Sequence, residues 1–175
     1  MESLYGTSFH SSSGMPLFVL DNFRSAYNVG SVFRTAESVY PAGVLLTGIT
    51  VRPGSRKLAR TARGTQATVP WRYFDTPSEA VDWAKGTGRT VVAVESGTPG
   101  SVPLHMAGFP VSSAFVLGNE ALGVSEAVLE AADMLVHVPQ SGERNCMNVS
   151  GVAAVLAWEI QRRRLATAGH PEYLP

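Results

Sequence analysis

Four polar side chains in three separate segments carry the chemistry this sequence could do. They are Asn28 and Arg34 in DNFRSAYNVGSVFR (21–34), Glu120 in GNEALG (118–123) and Asn148 in PQSGERNCMNVS (139–150). A guanidinium presents a rigid fork of donors that fits a phosphate or a developing oxyanion, and it stays protonated to above pH ~12, which suits charge stabilisation better than ordinary base chemistry. By residue type alone each position also has a plainer role. Arg34 lies well round from the apolar stripe Val29, Val32, Phe33, Ala36 and Tyr40, as a solvated arginine would. Asn28 and Asn148 stand where helices begin, and asparagine is a common N-cap. Glu120 follows a buried strand inside a glycine-bounded turn, where a carboxylate needs either solvent or a partner.

Other chemistries are poorly represented. Arg52, Arg56, Lys57, Arg60 and Arg63 are five of the fourteen basic residues, with no acid among residues 52–63. Beside a ligand-binding edge such a run is expected to contact phosphates, each contact steepening the salt dependence of binding. Arg162, Arg163 and Arg164 need no more than the macrodipole at a helix C-terminus. Cys146 with His137 or His105 as its base would require an orienting third group that nothing places beside them. The histidines at 10, 105, 137 and 170 have no metal-ligand spacing, so no metal is expected. G-x-G-x-x-G after the first strand and G-x-x-x-x-G-K-[ST] are both missing, which disfavours ordinary dinucleotide and triphosphate sites.

The elements that must position these residues alternate. A strand over Leu17–Leu20 leads through Asp21 and Asn22 into a helix reaching Tyr40, and residues 44–51 form a second strand candidate followed by a Gly/Pro/Arg-rich loop over 52–70. Thr76-Pro77-Ser78-Glu79 has capping-box spacing with proline at the first helical position, predicting a helix to about Lys85 that Gly86 and Gly88 stop. Residues 90–94, 114–117 and 134–138 are continuous apolar runs, as strands buried on both faces require. Helices are predicted over 125–132 and from about 148 to 164, the latter with Val149, Val152, Ala153, Leu156 and Ile160 on one face. The pattern is α/β, with a mostly parallel sheet flanked by helices. Ligands then belong at the carboxyl ends of the strands, after Leu20, Leu117 and Val138.

The chain has 175 residues, 45% hydrophobic and 16% charged, which suits one compact domain over 15–175 behind a loose tail over 1–14. Fourteen basic residues balance fourteen acidic ones, so a polyanion would have to be held by a local patch. One cysteine cannot form an intramolecular disulfide, and neither a secretory signal nor a run of ~20 apolar residues is visible; a cytoplasmic setting without membrane is expected.

Taken together the three segments resemble the motifs of the SpoU branch of the SPOUT superfamily, the TrmH-like RNA ribose 2′-O-methyltransferases of small single-domain type. The first is residues 28–36 (NVGSVFRTA), the second 115–120 (FVLGNE) with Gly123, and the third 138–150, ending MNVS before the terminal helix. Residues 60–65 (RTARGT) and Pro70-Trp71 look like the loop after the second strand of small members. At one position the sequence departs: the family usually has serine two residues before Asn148, and Cys146 stands there with a longer, weaker hydrogen-bonding reach.

The resemblance implies a deep C-terminal trefoil knot, and S-adenosylmethionine held in a bent shape by Glu95, Ser96, Leu117, Gly118, Val138, Cys146 and Met147. It makes Arg34, Asn28, Glu120 and Asn148 the catalytic group, with Arg34 reaching the phosphate and 2′-oxygen of the target nucleotide and Glu120 positioning Arg34 or the substrate. RNA contacts fall to Arg52, Arg56, Lys57, Arg60 and Arg63, and a homodimer forms through the first and last helices. Because many ribosomal RNA enzymes of the branch carry an extra N-terminal RNA-binding domain, the short tail favours tRNA over rRNA. Two alternatives remain at this point: a noncatalytic RNA-binding protein that keeps the fold, distinguished by failure to bind S-adenosylmethionine, and a base-modifying relative, distinguished by the modified nucleoside.

Overall fold

The computed structural model describes residues 14–39, 42–142 and 147–169. The loose tail expected over 1–14, apart from Gly14, and Tyr40 and Cys146 lie outside the described residues. Seven parallel strands form one sheet: β1 Leu17–Leu20, β2 Gly43–Thr47, β3 Trp71–Phe74, β4 Val91–Val94, β5 Val102–Pro103, β6 Ala114–Leu117 and β7 Met134–His137, in the order β3-β2-β1-β6-β4-β7-β5. The helices are α1 Ala26–Ser38, α2 Arg56–Ala62, α3 Pro77–Gly86, α4 Glu126–Ala131 and α5 Val149–Thr167, with a 3₁₀ turn at Thr65–Ala67.

Strand periodicity divides the core into two layers. Phe18, Leu20, Val44, Leu46, Val92, Val94, Phe115 and Leu117 point to the face covered by α1, α2 and α5, where they meet Val29, Phe33, Leu58, Leu156 and Ile160. Leu17, Val19, Leu45, Val91, Ala93, Ala114 and Val116 point to the other, against Ala80, Val81 and Val128 of α3 and α4. Burial on both faces explains why these strands read as unbroken apolar runs.

The loop expected over 52–70 is not a plain loop. Leu58 and Ala62, one turn apart, are fully buried and anchor α2 against α1, a short apolar signal hidden among glycine, proline and arginine. The second strand stops at Thr47, short of Val51, because Gly48 turns the chain at φ +55. β3 and β5 had no clear signal, since both are edge strands with little full burial. The α3 capping box forms, Thr76 accepting from the Glu79 N–H at 3.2 Å, although Glu79 reaches back to the Asp75 N–H rather than to that of Thr76. The three arginines of α5 do more than complement a dipole. Arg162 and Arg163 grip the buried Glu159 at 2.8 and 2.7 Å, Arg163 also donates to the Ala107 carbonyl and lies 3.9 Å over the Phe109 ring, and Arg164 donates to the Val39 carbonyl.

One contact sets how closely α1 and α2 approach. Thr61 donates to the Ala26 carbonyl at 2.8 Å across the crossing, and a Cβ on Gly30 would fall 2.2 Å from the Thr61 hydroxyl oxygen and 2.7 Å from the Ala62 nitrogen. Gly30→Ala is therefore expected to destabilise the protein by about 1–3 kcal/mol as an overpacking change. Urea unfolding measures it; a midpoint equal to that of the wild type would show that the two helices can separate freely.

Candidate active site at the carboxyl edge of the sheet

A buried polar frame fastens the strand ends to one another. The Asp21 N–H donates to the Leu117 carbonyl at 2.9 Å, and the Asp21 carboxylate accepts from the Ser125 N–H at 2.8 Å. Asn119 donates to the Asn22 carbonyl at 2.6 Å and accepts from the N–H groups of Ala121 and Leu122, so one side chain closes the 118–123 turn and ties it to the segment after β1. The backbones of Asn119 and Gly123 pair at 2.8 and 2.9 Å. Gly118 is required there, since a Cβ would lie 2.2 Å from the Gly123 carbonyl carbon. On the far side Glu95 accepts from the Val124 N–H at 2.7 Å.

Glu120 carries this frame to α1. Its carboxylate accepts from the N–H groups of Arg24 and Ser25 at 2.8 and 3.0 Å and from the Asn28 side-chain amide at 2.8 Å. Partial burial would push its carboxyl up, but the bonds from Arg24, Asn28, its own backbone and Ser25 outweigh that and hold it below the usual carboxylate range. Ser25 is the N-cap of α1, so Asn28 does not cap; it sits in the first turn, buried, with its amide turned to Glu120. The side-chain bonds of Glu120 thus go to Arg24, Ser25 and Asn28 at the start of α1, the helix that carries Arg34. Asn148 does cap α5, its side-chain oxygen accepting from the Ser150 N–H at 2.9 Å and the Ser150 hydroxyl at 2.7 Å.

Two hollows meet at the start of α5. The first, about 430 Å³, is bordered by Glu95, Ser96, Gly118, Glu120, Val138, Met147 and Asn148, which brings together residues from three strand ends and the start of α5. Leu117 stands behind its wall, fully buried with its carbonyl already bonded to Asp21, and is not among the lining. Gln140, Val149 and Val152 also line this hollow, although the sequence marks none of them as a site residue; for Asp21, which braces its edge, a polar residue directly after a fully apolar strand was the available signal. The second hollow, about 540 Å³, holds the exposed Arg34 together with Ser31, Arg63, Thr65 and Ser150. The five basic residues of 52–63 are thus not equivalent: Arg63 reaches this hollow, Arg52 stacks 3.9 Å over the Tyr73 ring, and Arg56, Lys57 and Arg60 are exposed along α2. His137 pairs with the Ser101 hydroxyl at 2.8 Å.

A parallel sheet with this three-segment carboxyl edge is the architecture of the SPOUT methyltransferases. The chain belongs to the SpoU rRNA Methylase family, whose model matches residues 15–158. It is 24% identical over 151 residues to the 23S rRNA (uridine(2479)-2′-O)-methyltransferase of Streptomyces viridochromogenes, covering 85% of this chain and 53% of that protein. Among solved structures, an AdoMet-bound rRNA methyltransferase from Sinorhizobium meliloti matches with a TM-score of 0.78 and 25% identity, over 86% of this chain and 57% of the other. A protein described in terms of 2-OH methylation of C/U34 on tRNA has the same fold, with a TM-score of 0.78 and 24% identity, over 88% of this chain and 99% of its own. The chain spans about half to three-fifths of the length of the first curated relatives it matches.

The Glu120 tether has a pH signature. Its folded-state pKa is lowered, so its contribution to stability is complete above the ordinary carboxylate value and lost as pH falls through the lowered folded one. Glu120→Gln is expected to be less stable than wild type at neutral pH, with the two converging in acid. Urea midpoints measured across that range test this; a gap that stays constant into acid would contradict it.

Proposed function

We propose that this protein is an S-adenosylmethionine-dependent RNA methyltransferase that modifies a ribose 2′-hydroxyl. The observation that carries the reading is the 2.8 Å bond between Asn28 and Glu120, which joins the first and second motifs at the rim of a hollow whose other side is the Asn148 cap of the third. The first hollow fits the cofactor. Its volume is within the range for small-molecule sites. Val94, Val138, Val149 and Val152 offer an apolar bed for an aromatic base, and Glu95, Ser96, Gln140 and backbone groups offer polar partners for the ribose and amino-acid ends.

The cofactor, when bound, supplies an electrophilic methyl group on a sulfonium. The protein's part is alignment and charge stabilisation. Arg34 lies in the neighbouring hollow, on the other side of the first turn of α5, and there its fork donates to the phosphate and ribose oxygen of the target nucleotide. With the cofactor held in the first hollow, attack by the 2′-oxygen on the methyl carbon would break the methyl–sulfur bond and leave a neutral thioether, the hydroxyl proton would pass to water, and the Arg34 guanidinium would stabilise the negative charge developing on oxygen. Glu120 and Asn28 fix where α1 begins, Asn148 fixes where α5 begins, and the two helix starts fix the gap that the ribose must occupy. The basic residues of 52–63 hold flanking phosphates. The same reading includes a homodimer through α1 and the outward face of α5, where Val155 and Trp158 are exposed, a C-terminal trefoil knot, a cytoplasmic setting, and tRNA as the first RNA to test ahead of rRNA.

Arg34→Ala is expected to lower methyl transfer by about 10²-fold or more while leaving cofactor affinity at the wild-type value. A methylation assay beside isothermal titration with S-adenosylmethionine decides this. Substantial residual turnover, or loss of cofactor binding in step with activity, would remove Arg34 from the reaction. Mapping 2′-O-methyl sites in total RNA with and without the protein identifies the substrate.

A further inference from the structure

We propose that Arg63 is a second clamp on the phosphate of the nucleotide being methylated, facing Arg34 across the hollow where α5 begins. The inference rests on the methyltransferase reading and divides a task that the reading gives to Arg34 alone. Arg34 lies in α1 and Arg63 caps the end of α2, and both line the same hollow, together with the hydroxyl residues Ser31, Thr65 and Ser150. Two guanidiniums in one hollow repel each other, and a phosphate between them turns that repulsion into two charge-assisted contacts. Glu37, on the rim, is within 3.4 Å of the Thr68 hydroxyl, which donates to its carboxylate. Ser150 and Gly151 bring the positive end of the nineteen-residue α5 to the same place.

The backbone supplies an independent argument. Among the described residues Asn22 and Arg63 are the non-glycine residues with positive φ, both +52. Asparagine tolerates that conformation, whereas arginine gains nothing from it, and glycine is the ordinary residue for closing a helix this way. Arg63 closes α2 by donating its N–H to the Ala59 carbonyl at 3.2 Å, which turns the chain back toward Thr65 and the hollow. An arginine kept where the backbone favours glycine has its use in the side chain. Arg56, Lys57 and Arg60 do not line the hollow, and Arg52 is stacked on Tyr73, so Arg63 is the member of the basic run placed at the reacting nucleotide. With Arg63 on the phosphate, the fork of Arg34 is released for the ribose oxygen.

The test is single-turnover methyl transfer to bulk tRNA and rRNA from cells lacking this protein, over a range of RNA concentrations, for Arg63→Gly, Arg63→Lys and Arg60→Ala. Arg63→Gly suits the local backbone and is expected to fold at least as stably as wild type, so a lost rate cannot be ascribed to misfolding. Its rate at saturating RNA should fall about 10- to 100-fold. Arg63→Lys, which keeps charge without the fork, should recover part of that rate. Arg60→Ala should weaken RNA binding and flatten its salt dependence, with the deficit recovered as RNA saturates. An Arg63→Gly protein that reaches the wild-type rate at saturating RNA overturns the clamp and leaves the methyltransferase reading intact. A wild-type protein that transfers no methyl group removes that reading, and the clamp with it.

Discussion

The carboxylate of Glu120 receives three hydrogen bonds from a segment more than ninety positions earlier in the chain, and the geometry of the site depends on that convergence. The N–H groups of Arg24 and Ser25 precede α1 and have no partner within it, as the donors at any helix start do not. A single charged acceptor satisfies both and takes the Asn28 amide as well. Charge-assisted bonds of this kind are stronger and more directional than neutral ones, so they fix the position of the helix and also its rotation about its axis. Rotation decides which way Arg34 projects two turns later.

Behind that tether lies a rigid background. All seven strands meet their neighbours in parallel registers, and both faces of the sheet are covered, so the strand ends cannot shift separately. Asp21, Asn119 and Glu95 then bond the loops that leave those ends. Gly30 and Gly118 have a shared purpose: each lets one piece of backbone come closer to another than a side chain would allow, bringing α1 onto α2 and closing the 118–123 turn. The arginines near the end of α5 secure the opposite side. Arg163 bonds loop carbonyls and stacks on Phe109, Arg162 shares Glu159 with it, and Arg164 holds the chain just after α1.

Under the proposed methyltransferase reading, this arrangement would separate cofactor binding from chemistry while keeping the two adjacent. The hollow beneath Glu120 and the hollow beside Arg34 share the first turn of α5 as a common wall, and the Asn148 cap stabilises that turn. A donor on one side and an RNA backbone on the other would be kept apart everywhere except where their reactive atoms must meet. Such an arrangement would catalyse chiefly by reducing the freedom of the reactants.

Local signals were sufficient for much of the fold. Apolar runs without alternation marked β1, β4 and β6 as strands buried on both faces and located β7, of which only Val136 is fully buried, and Thr76-Pro77-Ser78-Glu79 marked the start of α3, because burial and capping leave their trace within a few residues. The resemblance to three family motifs, rather than any local signal, singled out Asn28, Arg34, Glu120 and Asn148. Edge strands β3 and β5 left weak traces, since half-buried residues obey no strict period, and α2 did so because its fully buried anchors, Leu58 and Ala62, are only two residues among glycine, proline and arginine. What only the tertiary structure decided was partnership. Residue type made Asn28 an N-cap, but a chain returning at Glu120 claimed its amide and left the cap to Ser25; the α5 arginines looked like dipole complements until Glu159 and Phe109 came within reach. Hydrogen bonds and ion pairs between distant segments depend on where the sheet brings those segments, and no stretch of sequence contains that distance.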